Sequence, residues 1–247
     1  MKHIIKIFFL VFFLGFGNSF AVEVWNSPNG IKKFETSQYK NDFYQLANFY
    51  QSQNNPIYCA IAVATTLLNV FNYPEILNQE THQTIKPNGE VMPFPLFSQD
   101  NFFNDKTNKI KHQEVIEFKK TNKNNEYDPG LSLGDFAKIL ESAYSLKTKV
   151  YYQKNSDPNK FREIVKKVIN DNGSFLVINF DGSVLENKTR GHISLIAAYQ
   201  QDSDEVLVLD AALHKHQWHW VSLSNIVSAM NTKDGNQYRG YMTVEKP

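Results

Sequence analysis

The densest apolar run in the chain lies just after residue 58, where Ala60, Val63, Ala64, Leu67, Leu68 and Phe71 recur at helical spacing. That pattern predicts a helix with a buried face. Asn72-Tyr73-Pro74 ends it, because proline cannot continue a helix and restricts the residue before it. Residues 22–52 are polar and aromatic without clear periodicity, and predict a segment that wraps the domain edge. Residues 78–128 turn polar through Pro87-Asn88-Gly89, Met92-Pro93-Phe94-Pro95 and the run from Lys119 to Asn125. They predict a loop-rich insertion, with short helices near 97–103 and 113–120.

Periodicity returns after Gly130. Ser132 stands at an N-cap position before a stripe at Leu133, Phe136, Ile139, Leu140 and Ala143. Lys149 to Tyr152 predicts a strand. Asp157-Pro158 opens a helix with Phe161, Ile164, Val165, Val168 and Ile169 on one face, and Asn172-Gly173 stops it. Apolar runs at 174–180, 192–199 and 205–211 predict three strands, separated by turn residues at Asp181-Gly182 and Asp202-Ser203-Asp204. A helix over 224–230 and a strand over 240–245 complete the chain. Helices first and an antiparallel sheet after them predict an α+β fold.

Two further features set the context. Lys2, His3 and Lys6 precede an almost wholly apolar stretch from Ile7 to Phe16, and Ser19-Phe20-Ala21 offers small residues where a signal peptidase reads. Residues 1–21 therefore predict an export signal, with a mature chain starting near Val22 that is periplasmic or secreted and not held in a membrane once cleaved. An uncleaved anchor is the alternative. The formal net charge of +1 and the lack of a basic stripe with interleaved aromatics argue against a nucleic-acid partner. Residues 22–247 are long enough to bury a core without disulfides. A homodimer is an assembly the sequence allows.

Cys59 is the only cysteine, so it has no internal disulfide partner, and it heads the apolar helix. A helix N-terminus lowers a thiol pKa and favours the nucleophilic thiolate. Taken alone, Cys59 reads as a small core residue, and the partners that follow reverse that reading. His192, which follows Gly191 and opens an apolar strand, is a candidate general base or a hydrogen-bonded strand histidine. Asp210 closes the strand Val206-Leu207-Val208-Leu209 and is a candidate for orienting that histidine, or a turn residue. Gln53, six residues before Cys59, could present an amide N–H to an oxyanion or be a simple loop residue. The four together are the parts of a papain-like thiol acyl-transfer enzyme.

Residues from about Asn48 to Pro247 also resemble the phytochelatin synthases in their short bacterial form. The resemblance rests on Gln53-x5-Cys59 with Pro56 and Tyr58 between, on Gly130-Leu131-Ser132-Leu133-Gly134, and on Gly191-His192-Ile193-Ser194. It continues through Leu207-Val208-Leu209-Asp210, Lys215, Trp220-Val221, Ala229-Met230 and Arg239-Gly240-Tyr241-Met242. It implies a papain-like fold with Cys59, His192 and Asp210 as the triad and Gln53 in the oxyanion hole. Tyr58, Ser194, Lys215 and Arg239 are the implied substrate contacts. The implied activity forms a γ-glutamylcysteinyl thioester from glutathione, releases glycine, and passes the acyl group to water or to a second, metal-complexed glutathione. No tightly bound cofactor is implied; cadmium or zinc would act as an activator or as a substrate thiolate complex.

The chain departs from the family pattern at Ala60, Ala197 and Ala198, where glycines are usual, and at Leu213, where synthases usually carry an arginine. The Leu213 departure bears on transfer to a second glutathione more than on acylation. Two other readings remain open at this point. One is a different papain-like peptidase, such as a double-glycine leader peptidase, although those usually continue Asp-Pro where this chain has Asp210-Ala211-Ala212. The other is a non-enzymatic metal- or thiol-binding module built on His214-x-His216-x-x-His219, although no carboxylate or cysteine in that run completes a ligand set.

Overall fold

A computed structural model describes residues 22–71, 83–85, 87–93, 96–117, 119–121, 123, 125–126, 129–154, 157–185 and 190–247. The export segment at 1–21, the helix stop at 72–74 and parts of the 78–128 insertion lie outside the described residues. The first half of the chain forms β1 (Glu23–Val24), α1 (Pro28–Thr36), α2 (Asn41–Phe49), α3 (Cys59–Val70), a ribbon of β2 (Gln83–Ile85) and β3 (Val91–Pro93), α4 (Asp105–Ile110) and α5 (Gln113–Ile116). Then follow α6 (Leu133–Tyr144), β4 (Lys147–Tyr152), α7 (Pro158–Ile169), β5 (Ser174–Asp181), β6 (Gly191–Gln200) and β7 (Glu205–Leu209). The chain ends with β8 (His219–Ser222), α8 (Leu223–Met230), a ribbon of β9 (Lys233–Asp234) and β10 (Gln237–Tyr238), and β11 (Gly240–Glu245).

Seven strands form one antiparallel sheet in the order β1-β8-β7-β6-β5-β11-β4. The mixed helix-and-sheet class expected from the sequence is present. The sheet carries helices on both faces. On one face Leu195, Leu207, Leu209 and Met242 pack with Ile61, Leu67 and Phe136 of α3 and α6. On the other, Ile178, Ile196 and Val208 pack with Phe161 and Val165 of α7 and Ile226 of α8. This explains why β5, β6 and β7 read as continuous apolar runs: strands covered on both sides need no polar face. Each fully buried aliphatic or aromatic side chain contributes about 1.5–3 kcal/mol.

Helix α3 is buried along its whole length from Ala60 to Asn69, polar positions included, rather than on one face. The hydroxyls of Thr65 and Thr66 donate to the Ala62 carbonyl, and Asn69 exchanges two hydrogen bonds with the backbone of Phe97. Burial of these groups is therefore offset by hydrogen bonds made within the core.

The main differences from the expected elements lie at the two ends of the polar scale. Residues 22–52 contain α1 and α2, each of nine residues. Ser27 caps α1 by accepting from the Gly30 N–H, with Pro28 in the first turn, but a helix this short offers too few periodic positions to stand out. Residues 97–103 are not helical; the helix begins later, at Asp105, where Asn104 and Thr107 form a reciprocal cap. Strand β7 ends at Leu209, so Asp210 leaves the sheet ladder.

One core feature is out of place for its surroundings. Asp42 in α2 is 1 % exposed, and neither carboxylate oxygen has a hydrogen-bond partner among the described residues. Burial, with a smaller contribution from Asp171, raises its pKa from 3.8 to about 9. The folded protein thus holds this proton over a range where an unfolded aspartate is ionised. Stability contributed here is lost as pH rises from about 4 towards about 9. Asp42→Asn is expected to raise the thermal midpoint at about pH 8 and to leave it nearly unchanged at about pH 4. Equal shifts at the two pH values in a melting series would contradict a neutral buried Asp42.

Candidate active site

Cys59 is the first residue of α3, with Tyr58 at the N-cap. Its thiol is partly accessible and lines a cavity of about 370 Å³. His192 is the second residue of β6, on the wall of the same cavity. Its Nε2 lies 2.7 Å from Asp210 Oδ1, and an ionised carboxylate only accepts, so the imidazole N–H donates. The other ring nitrogen, Nδ1, is thereby left for the hydrogen bond with Cys59. The edge of Phe180, on the neighbouring strand, flanks the His192 ring at a centroid distance of 5.6 Å.

Electrostatics follow from this chain of contacts. Burial opposes charge on all three groups, and mutual contact outweighs it. Burial pushes the Cys59 thiol up, but the His192 hydrogen bond and charge, with the backbone N–H groups of Ile193 and Ala60, bring it below its usual value of 9.0. For His192, burial is outweighed by the Asp210 carboxylate and the Cys59 contact, and the pKa rises from 6.5 to about 10. Asp210, held down by His192 against its own burial, also accepts from the Ala212 N–H at 2.8 Å. The three shifts all favour thiolate, imidazolium and carboxylate over the neutral forms.

A second buried histidine lies close to this set. His219 in β8 donates from Nδ1 to the Gln217 carbonyl, and burial depresses its pKa despite the nearby Asp210 charge. It stays neutral at physiological pH and does not compete with His192 for Asp210. His214 and Lys215 are exposed in the preceding turn. Among the described residues, no group of three or more His, Cys, Asp or Glu side chains could hold a metal ion.

Gln53 is buried next to the Asp210 segment. Its backbone N–H donates to the Ala211 carbonyl at 2.8 Å, and its side-chain Nε2 donates to the Asn55 carbonyl at 2.8 Å. One amide hydrogen of Gln53 is used in that bond, and no second acceptor for Nε2 is found among the described residues.

The expected substrate contacts divide. Arg239 lines the cavity, but Tyr58, Ser194 and Lys215 do not. Tyr58 is buried, and its hydroxyl donates to Glu117 at 2.6 Å. Ser194 is fully buried beneath the sheet end and its Oγ lies 3.4 Å from the Ala211 N–H, so it supports the Asp210 turn. Lys215 points to solvent in the turn beyond Asp210.

The cavity wall contains residues that the sequence reading passed over: Lys111, Asn179, Arg190 and Asp234. Asn179 Nδ2 donates to Asp234 at 3.2 Å, and Asp234 lies 3.9 Å from the Arg239 guanidinium. Arg239 Nη1 donates to the Lys233 carbonyl, while its buried Nε has no hydrogen-bond partner among the described residues. Three cationic side chains thus face the cavity against one carboxylate. Periodicity could not reveal them, since they lie at element ends and turns.

Two glycines shape this wall. A Cβ on Gly191 would stand 2.6 Å from Arg239 Nη2, so only glycine lets the guanidinium lie against the backbone beside His192. Gly130 has φ +105° and accepts from Lys111 Nζ through its carbonyl, which places the left-handed turn at the cavity rim.

No helix among the described residues is long and apolar enough to cross a membrane. A family model described as phytochelatin synthase matches residues 21–241. Similar curated proteins include glutathione gamma-glutamylcysteinyltransferase 3 of Lotus japonicus, 27% identical over 226 residues, with 89% of this chain and 41% of the relative covered. Glutathione gamma-glutamylcysteinyltransferase 1 of Arabidopsis thaliana is 25% identical, with 83% and 37% covered. The glutathione gamma-glutamylcysteinyltransferase of Schizosaccharomyces pombe is 27% identical over 118 residues, with 47% and 28% covered. The chain spans about two fifths of the length of the plant relatives it matches.

Two measurements probe this geometry. Alkylation of Cys59 by iodoacetamide is expected to fall less steeply between about pH 8 and pH 6 than the loss of about a hundredfold shown by an unperturbed thiol. Asp210→Asn should restore the ordinary slope; an ordinary slope in the unmodified protein would exclude the ion pair. Gly191→Ala, by displacing Arg239, is expected to raise KM for an anionic substrate about tenfold, the cost of one charged hydrogen bond. An unchanged KM in a folded Gly191→Ala protein would remove Arg239 from the binding wall.

Proposed function

The chain belongs to the phytochelatin synthase family, and from that premise we propose that it is a cysteine acyltransferase and hydrolase of glutathione, with Cys59, His192, Asp210 and Gln53 in a papain-like arrangement. The observation that carries the proposal is the hydrogen-bonded series Cys59–His192–Asp210, opening from a helix N-terminus into a cationic cavity. A thiol whose pKa is lowered presents more of the nucleophilic thiolate at a given pH.

In this reading the Cys59 thiolate attacks the carbonyl carbon of the Cys–Gly peptide bond. The free amide hydrogen of Gln53 and the backbone N–H of Cys59 receive the developing oxyanion. The His192 imidazolium gives its proton to the glycine nitrogen as the C–N bond breaks, which leaves a γ-glutamylcysteinyl thioester and neutral His192. Water, or the α-amino group of a second glutathione, then attacks the thioester and gives a proton to His192 as the thiolate of Cys59 departs. Asp210 keeps the ring orientation through both steps.

Glutathione carries two carboxylates, and the cavity offers Lys111, Arg190 and Arg239 against Asp234. This charge balance supports an anionic peptide as substrate. Asp234 and Asn179 suit the substrate's α-ammonium and amide groups. On the acceptor side, Leu213 is exposed and uncharged and the Tyr58 hydroxyl is engaged by Glu117. These features support water as the main acceptor. A cadmium- or zinc-thiolate complex of glutathione would enter as an acceptor substrate.

The test is to incubate the protein with glutathione, with and without cadmium, and to resolve the products by mass. Glycine and γ-glutamylcysteine are expected in equal amounts, and Cys59→Ser is expected to lower the rate at least about a thousandfold. Longer γ-glutamylcysteine polymers as the main product would reverse the assignment of acceptor. Intact glutathione after prolonged incubation would remove the substrate assignment.

A further inference from the structure

Gln99 lies in the irregular stretch between Leu96 and Asn104, far in sequence from any of the residues assigned to chemistry. It is a neutral, polar side chain, yet only 5 % exposed. Both ends of its amide are used on the loop that carries Gln53. Its Oε1 accepts from the Asn54 backbone N–H at 2.9 Å, and its Nε2 donates to the Ser52 carbonyl at 2.8 Å. One side chain therefore grips the backbone on each side of Gln53.

The grip is itself anchored. Two residues before Gln99, the Phe97 backbone exchanges hydrogen bonds with Asn69 at 2.8 and 2.9 Å, and Asn69 belongs to α3, the helix that Cys59 opens. Gln51 Nε2 also donates to the Phe97 carbonyl at 2.8 Å. On the opposite side, the Gln53 N–H donates to Ala211, next to Asp210. The loop at 52–54 is thus fixed between the nucleophile helix and the Asp210 turn.

We propose that Gln99 is a positioning residue for the oxyanion donor: it fixes the Gln53 loop relative to Cys59 without touching substrate. The inference rests on the reading of Gln53 as an oxyanion donor. An oxyanion donor must sit within a few tenths of an ångström of its target, and a shift of about 1 Å costs up to about a hundredfold in rate. A bidentate backbone clamp supplies that constraint, whereas a loop held at one point would pivot.

The experiment compares Gln99→Met, which keeps the side-chain length and removes both hydrogen bonds, with Gln53→Ala and the double variant. Glycine release from glutathione and alkylation by iodoacetamide are measured on each. Alkylation is a displacement at an sp³ carbon with no oxyanion, so it reports the thiolate alone. Gln99→Met is expected to lower kcat about tenfold, to change KM less than about twofold and to leave the alkylation rate unchanged. In the double variant it should add little to the loss from Gln53→Ala, because the clamp then has no donor to position. Wild-type kcat in Gln99→Met, additive losses, or alkylation falling in parallel with turnover would each overturn the inference. Wild-type kcat in Gln53→Ala would instead overturn the oxyanion reading on which it stands. Should Gln99→Met fail to fold, Gln99→Asn carries the same expectations, since it keeps the amide but is one methylene too short to reach both Ser52 and Asn54.

Discussion

The buried contact between His192 and Asp210 is the interaction around which the rest of the protein is arranged. Two opposite charges stand at the end of an apolar sheet, where neither could remain alone, and removing one would leave the other buried and uncompensated. The surrounding backbone is built to hold them. Strand β7 stops one residue before Asp210, so that the carboxylate meets the Ala212 N–H in a turn rather than a ladder. The Asp210 carbonyl accepts from the Tyr50 hydroxyl and the Ala211 carbonyl from the Gln53 N–H, which brings the segment before Cys59 against the same turn. A register shift between Ile196 and Ala198 lies on β6 between the paired segments.

Burial is what makes the contact chemically useful. In water the same three side chains would titrate near their ordinary values, with a protonated thiol at neutral pH. Inside the fold, the Asp210 carboxylate favours imidazolium, and imidazolium favours thiolate. His219 stays neutral beside them because burial outweighs the Asp210 charge and the Gln217 carbonyl, both of which favour its protonation. The histidine run that resembles a metal motif therefore divides into one core residue and neighbours in the turn before β8.

The polar insertion acts as a brace rather than a decoration. Lys111 ties it to the Gly130 carbonyl at the cavity rim, Glu117 to the Tyr58 hydroxyl before the nucleophile helix, and Gln99 to the backbone around Gln53. The Glu117 carboxyl is held down to about 2 by Lys119 and Tyr58, so this link persists across the neutral range. A segment without periodicity thus ties down three parts of the chain around the proposed site.

Much of the fold was legible where one side chain's local pattern carries the information. The apolar helix behind Cys59, the caps at Ser132 and Asp157 and the three central strands follow from periodicity, capping and turn chemistry, because those act over a few residues. The residue types of the candidate site were legible too, since a lone thiol at a helix start, a Gly-His and a strand-ending Asp are local signals. What remained hidden depends on separations that the chain closes only when folded. Arg239 and Gly191 need each other across two strands; Tyr58 and Ser194 stand near the site in sequence but turn into packing; Gln99 reaches a loop 45 residues away. By itself, the sequence determined which groups could carry the chemistry and which segments would be buried. Tertiary structure decided which of them share a cavity, because the hydrogen bonds and close approaches that hold them there join residues distant in the chain.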